Sequence, residues 1–376
     1  MSKSFMQRSF SRTMRNATRL TGMGKLLDAT RLIQRALLGD APHVRPASKQ
    51  ATQRTSTPAA NDPQATGAPP QVIILPPPAK PAGLAPTTAP PRKASRAASF
   101  TKHQFVFEGD SYPYRLYVPS ATDANKNVSM PLVVLLHGCK QDALDFSNGT
   151  AMNALAEAQQ VMVLYPEQIT SANAMRCWNW FEPGHQQAER GEPGMIAALT
   201  QKIVQQHGGD AQRVYIAGLS AGGAMAAVVS SLYPDVFAAV GVHSGLAAGA
   251  AKDVMSAFSA MRSGAKGHAL PVMPTIVFHG SADKTVHPDN GEHITDAALA
   301  ALKASGLKLV KSQDNTGREA YITADGKPFI ENWRIDDGTH AWSGGDAAGS
   351  YTDPDGPSAS AAMLAFFLQH RLQSTA

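Results

Sequence analysis

The chain has 376 residues, of which 43% are hydrophobic and 17% charged, with 34 Lys and Arg against 29 Asp and Glu. This length and apolar content support a large buried core and exclude a wholly disordered chain; with only two cysteines the chain is no disulfide-stapled scaffold either. The net charge of +5 hides a division, because residues 1–100 carry +12 and the remainder −7.

Residues 1–40 form a basic segment whose pattern predicts two short amphipathic helices. Ala17-Thr-Arg-Leu20 recurs as Ala29-Thr-Arg-Leu32, with Gly22 and Gly24 between them. Leu20, Leu26, Leu27, Leu32, Ile33 and Leu37 line the apolar faces, with basic residues opposite. Such a segment docks on a membrane surface, another anionic surface or a protein, or pairs with a second copy. Charge alone would permit nucleic acid, but no recognition motif is present, so specific nucleic-acid binding is not expected. No apolar h-region with a small-residue cleavage site marks a Sec signal, and no stretch is long enough to span a membrane. Residues 41–100 read as a disordered linker: 13 of the 26 prolines fall between 41 and 99, among many Ala, Thr and Ser. Gln71-Val-Ile-Ile-Leu-Pro76 is an apolar island in it, either a docking strip or incidental.

Residues 101–376 are predicted to form one α/β domain. Phe105-Val-Phe107 and Tyr114 to Val118 open it as a pair of alternating strands. Strands follow near 132–137, 161–165, 213–217, 237–242, 275–279 and 329–335. Helical patterns near 147–160, 192–207, 221–232, 289–304 and 358–371 alternate with them. This alternation predicts a mostly parallel sheet covered by helices on both faces. Ala247 to Gly267 is small-residue rich and helical, and reads as part of a cap.

The chemistry lies at strand ends. Pro131 to Leu136 is a continuous apolar strand ending in His137-Gly138-Cys139. Val214 to Ala217 leads directly into Gly218-Leu-Ser220-Ala-Gly222 and then an Ala-rich helical pattern. Strand, tight turn and helix form the context in which G-x-S-x-G marks a nucleophilic serine, since the hydroxyl must stand exposed on a strained turn. A glycine-rich turn that merely contains serine is the alternative. Downstream, Asp283 ends the loop after Thr275 to Phe278, and His340 follows the strand Ile330 to Ile335. Serine, acid and histidine in that order, each beyond a strand, is the arrangement of the α/β-hydrolase fold. Serine is a poor nucleophile at neutral pH, so His340 would take its proton and Asp283 would orient the imidazole. Asp336 and Asp337 are rival acids, better suited by their place beside His340 to capping the turn. Position alone nominates the backbone N–H groups of Cys139 and Ala221 as oxyanion donors, with His137 shaping the loop. Trp178 and Trp342 are candidates to line the substrate cleft, with Tyr351 at its mouth, although tryptophans usually fill cores. No His/Cys/Asp cluster has ligand spacing, so no metal or organic cofactor is expected.

Five segments carry a resemblance: His137-Gly-Cys-Lys-Gln141, Cys177-Trp-Asn-Trp-Phe181, Gly218 to Gly223, His279-Gly-Ser-Ala-Asp-Lys-Thr-Val286, and Gly338-Thr-His-Ala-Trp-Ser-Gly-Gly345 with its continuation to Ala359. From about residue 105 onward the chain resembles the polyhydroxybutyrate depolymerase-type esterases, a family within the α/β-hydrolases. The resemblance implies carboxylic ester hydrolysis through an acyl-enzyme, on a short-chain polyhydroxyalkanoate or its oligomers. Feruloyl and acetylxylan esterases share the family and are the alternative; a peptidase of this fold is less favoured without a gating domain. From a different class, the chain could be a granule- or surface-binding protein acting through its basic arm, though a pure binder needs no such triad. A serine elbow argues against a polyester synthase. By resemblance, Cys139 and Cys177 form a disulfide tying the oxyanion loop to the substrate-side loop; two buried thiols in a reducing compartment are the other reading. Resemblance and disulfide imply an extracellular or periplasmic protein, whereas the N-terminus leans towards the cytoplasm.

Overall fold

The structure, a computed structural model, describes residues 96–121, 128–314 and 316–372. The helices expected in residues 1–40, the strip Gln71–Pro76 and nearly all of the linker lie outside these residues. Strand β1 (Ser99–Phe107) begins inside the segment read as linker and pairs antiparallel with β2 (Asp110–Val118).

The next strands are β3 (Leu132–Leu136), β4 (Met162–Pro166), β5 (Val214–Leu219), β6 (Ala239–His243) and β7 (Thr275–Gly280), and every residue in them is buried. Uninterrupted burial is what a parallel sheet covered on both faces demands of its strands. With β8 (Val310–Gln313), β9 (Arg318–Ile322) and β10 (Pro328–Ile335) they form a ten-stranded sheet in the order β1-β2-β4-β3-β5-β6-β7-β10-β9-β8. The centre, β4 to β10, is parallel, and an antiparallel hairpin closes each edge. This is the α/β-hydrolase architecture.

Alternate strand residues feed two cores. Leu132, Val134, Ile216, Val242 and Val277 face one side, under helices α3 (Gly191–His207) and α4 (Ala221–Leu232). Val133, Leu135, Tyr215, Ile276 and Phe278 face the other, under α1 (Ala143–Thr150), α2 (Met152–Gln159) and α7 (Ala359–Phe367). The single helix expected near 147–160 is two helices, because Ala151 turns left-handed at φ 49° and ends the first. Asp142 caps α1 by accepting the N–H groups of Leu144 and Asp145. The segment 247–267 contains α5 (Val254–Ser263), started by an Asp253–Ser256 capping box. Helix α6 (Asp289–Ser305) follows β7, and β11 (Trp342–Ser343) pairs with β12 (Thr352–Asp353) beyond β10.

Register places the site. Leu219 is level with His243, His243 with Phe278, and Ile335 with Gly280. The loops that leave β5, β7 and β10 therefore emerge at one edge of the sheet, the carboxyl end at which open parallel sheets bind ligands.

Candidate active site

Ser220 stands between β5 and α4 at φ 58° and ψ −120°, a conformation that costs a non-glycine residue about 1–3 kcal/mol. Its neighbours hold it there. The Ser220 N–H donates to the His243 carbonyl at 2.9 Å. A Cβ on Gly218 would lie 2.4 Å from the Gly222 carbonyl, and one on Gly222 would lie 2.1 Å from the Leu136 carbonyl oxygen. The turn thus packs against both itself and β3, and only glycine fits at either flank.

Beside the elbow, β3 ends in the loop carrying Cys139. Cys139 is joined by a disulfide to Cys177, 38 residues on, with their Cα atoms 4.2 Å apart. The Lys140 N–H donates to the Met175 carbonyl at 2.7 Å, a second link between the same segments. Gln141 accepts the Gly138 N–H at 2.9 Å and donates to the Asp145 carboxylate and the Ser350 carbonyl, each at 2.9 Å. His137 donates from Nδ1 to the Gly138 carbonyl at 2.7 Å and accepts the Gln168 N–H at Nε2 at 3.1 Å. Burial pushes its pKa down to about 4, which keeps the ring neutral and this tautomer in place. Against this rigid surround, the N–H groups of Cys139 and Ala221 form no hydrogen bond among the described residues. Ala221 opens α4, whose first turn has no side-chain cap, so its N–H points out of the helix.

The acid and the histidine meet. His340 Nδ1 lies 2.7 Å from Asp283 Oδ2. The other carboxylate oxygen, Oδ1, accepts the N–H groups of Thr285 at 2.8 Å and Val286 at 2.9 Å. Burial alone would raise the Asp283 pKa; the contacts with His279 and His340 and the Val286 N–H outweigh it and hold the carboxyl well below the usual range. The loops are laced together, Ser281 N–H to Ile335 carbonyl at 2.8 Å and Ala282 N–H to Gly338 carbonyl at 2.9 Å. Gly280 permits this, since a Cβ there would sit 2.2 Å from the Gly338 oxygen. Asp336 and Asp337 are exposed, and neither carboxylate contacts His340. Among the described residues no hydrogen bond joins the Ser220 hydroxyl to His340; apo catalytic contacts often close only with substrate.

Two aromatic expectations are corrected. Trp178 is fully buried in the first core, its ring tilted against His137 at 5.6 Å. Trp342 is 1% exposed in the second core, where its Nε1 donates to Ser360 Oγ at 3.0 Å and its face stacks on His243 at 5.1 Å. Neither ring reaches a cleft surface; each closes a core behind the site. Tyr351 is 43% exposed, and its carbonyl accepts the Trp342 N–H at 2.7 Å.

Three residues go unannounced in the sequence reading. His243 lies beneath Ser220 and binds the Ser343 N–H at 3.0 Å. Gln141 clamps the loop that follows β3. Glu192, wholly buried, accepts the Asn179 N–H at 2.7 Å and side-chain amides of Asn179 and Gln168. Burial raises its pKa. His243 reaches Ser343, 100 residues away, and Gln141 reaches Ser350, 209 residues away, besides its near neighbours Gly138 and Asp145; no local pattern signals the distant contacts.

Fold and site together define an α/β-hydrolase with a serine elbow. The chain belongs to the Esterase PHB depolymerase family of ester-hydrolysing enzymes, whose profile matches residues 112–307. It is 32% identical over 238 residues to poly(3-hydroxyalkanoate) depolymerase C of Paucimonas lemoignei, covering 58% of this chain and 56% of that protein. It is 33% identical over 143 residues to feruloyl esterase B of Thermothelomyces thermophilus, covering 38% and 47%. The chain thus spans about half the length of these curated relatives. An acetyl xylan esterase from Aspergillus awamori shares the fold, with a TM-score of 0.54 at 20% identity over 71% of this chain and 98% of that one.

Proposed function

We propose that the protein is a serine carboxylic-ester hydrolase and that Ser220, Asp283 and His340 are its triad. The observation that carries this reading is the 2.7 Å bond between Asp283 and His340 on the sheet edge that also presents Ser220. His340 Nε2 takes the Ser220 proton as Oγ attacks the ester carbonyl, and Asp283 steadies the imidazolium. The oxyanion is received by the Cys139 and Ala221 N–H groups, which need not leave any protein acceptor to bind it. His340 then returns the proton to the departing alcohol, and water repeats the sequence to release the acid.

The favoured substrate is a short-chain polyhydroxyalkanoate or its oligomers, supported by the depolymerase relative of Paucimonas lemoignei. Tyr351, exposed beside the oxyanion loop, is the residue we place at the mouth of the substrate site. The test is hydrolysis of hydroxybutyrate oligomers, methyl ferulate and acetylated xylan by the purified protein and its Ser220→Ala variant. Hydroxybutyrate release by the native protein, reduced on the order of 10⁴-fold or more in the variant, is expected. Turnover confined to ferulate or acetyl esters would overturn the substrate. Turnover undiminished in Ser220→Ala would overturn the triad.

A further inference from the structure

His279 is the last-but-one residue of β7, buried at 4% exposure, four residues before the acid. Its Nε2 lies 2.9 Å from the Val286 carbonyl oxygen. A carbonyl only accepts, so Nε2 carries a hydrogen. The same nitrogen lies 3.5 Å from Asp283 Oδ2, the oxygen that receives His340. At that distance the contact is charge–dipole attraction more than a full hydrogen bond. Nδ1 has no hydrogen-bond partner; it packs near Gly291 of α6, where a Cβ would come within 3.0 Å of it. The ring is therefore wedged between α6 and the acid turn, with its single N–H directed at that turn.

We propose that His279 is a positioning residue for the acid: its Nε2–H buckles the Asp283–Val286 turn and shares the carboxylate oxygen that holds His340. The proposal rests on the triad reading above. Its consequence has a sign. With His279 present, Oδ2 divides its negative charge between two N–H groups. Without it, the whole charge falls on the His340 ring and stabilises the protonated imidazole more strongly. A purely structural role predicts the reverse, because a loosened Asp283 would hold the protonated ring less well.

Other titratable or charged groups surround the pair. His243 faces it from β6, Lys284 and His287 from the loop after β7, Asp289 and Glu292 from the first turn of α6, and Arg334 from β10. All but His243 line a cavity of about 380 Å³ that His279 and Asp283 also border. The charged groups that line the cavity are screened at about 1 M salt, where the Debye length is about 3 Å, whereas the buried His279–Asp283 contact is not.

The experiment measures kcat, KM and the pH profile of kcat/KM on a soluble p-nitrophenyl ester, at low and at about 1 M salt, for the full chain. The variants are His279→Leu, His279→Gln, which retains a side-chain N–H, and Ser220→Ala; His279→Met replaces the leucine variant if that one does not fold. We expect the apolar variants to lose about ten- to a hundredfold in kcat at constant KM. Their acid limb should move to higher pH at both salt concentrations, and His279→Gln should restore it. An acid limb that stays put or moves to lower pH in the apolar variants overturns the role of His279. Full activity in Ser220→Ala instead overturns the triad reading itself, which separates the two failures.

Discussion

His243 links Ser220 to the segment that follows His340. Its backbone carbonyl holds the Ser220 N–H at 2.9 Å, and its ring Nε2 accepts the Ser343 N–H at 3.0 Å. The ring lies between Phe278 at 5.7 Å and Trp342 at 5.1 Å. Burial, with the nearby His279 and His340, pushes its pKa down to about 3, so Nε2 stays free to accept. His243→Phe would preserve the stacking and strand the buried Ser343 N–H, at a cost of about 1–3 kcal/mol. The denaturant midpoint should fall accordingly with an unchanged slope, and kcat should fall with it; an unshifted midpoint would show that the N–H finds another acceptor. The proposed triad of Ser220, Asp283 and His340 was nominated by local rules: a strand, a loop, a turn with glycines. His243 follows no such rule, since its partner lies 100 residues away. Trp178 and Trp342 show the same limit from the other side. Their identities suited a cleft, but which side of the sheet a ring faces is decided by neighbours such as Ser360 on α7.

Among elements, the parallel strands were the most legible, because only a sheet covered on both faces makes runs such as Leu132–Leu136 apolar throughout. The β8–β9 hairpin was not. Its strands are short and largely polar, and they are held by pairing with β10 and by the Arg318 guanidinium on Glu331 at 2.8 Å and 3.0 Å. The break at Ala151 was equally hidden, since nothing in its side chain requires a positive φ. The Cys139–Cys177 disulfide ties down the segment that carries the proposed oxyanion donor. Closing 38 residues favours the folded state by about 4 kcal/mol in the chain-entropy model. Cys139→Ala with Cys177→Ala should therefore lower stability by about that amount. Activity at a temperature where the variant remains folded should fall in kcat more than in KM, because the role proposed for the Cys139 N–H is made in the transition state. Melts with and without a reducing agent, beside kcat on the same samples, check it. A variant that loses stability and keeps its kcat would mean that Gln141 and Lys140 suffice to hold the donor.

Over the whole molecule, acid sensitivity follows from histidines rather than from the Asp283 carboxylate. His137, His243 and His370 are buried, and burial lowers their pKa values to about 4, 3 and 4 from the usual 6.5. In the unfolded chain each protonates near 6.5, so between that pH and about 4 the unfolded state binds more protons than the folded one. Stability contributed by these groups is therefore complete above about 6.5 and is lost as pH falls towards 4. Asp283 and Asp210, both lowered, keep their charge through this window, and their contribution disappears only at lower pH. Glu192 runs the other way: its raised pKa makes the fold more favourable as pH falls, which offsets part of the loss. One pH unit on one group is worth about 1.4 kcal/mol, so three histidines rival the net stability of about 5–15 kcal/mol typical of a folded domain. Thermal midpoints measured from pH 7.5 down to 4 should hold steady and then fall steeply below about 6.5. His370 allows the cause to be isolated, because it packs against Phe366 at 4.6 Å and Phe329 at 6.1 Å, and its carbonyl, not its ring, accepts the Tyr215 hydroxyl. His370→Phe keeps that carbonyl and removes one titrating ring from the core. Its midpoint should therefore fall less between pH 6.5 and 4 than that of the native protein, while kcat at pH 7.5 stays unchanged; an equal fall in both would place the acid sensitivity elsewhere.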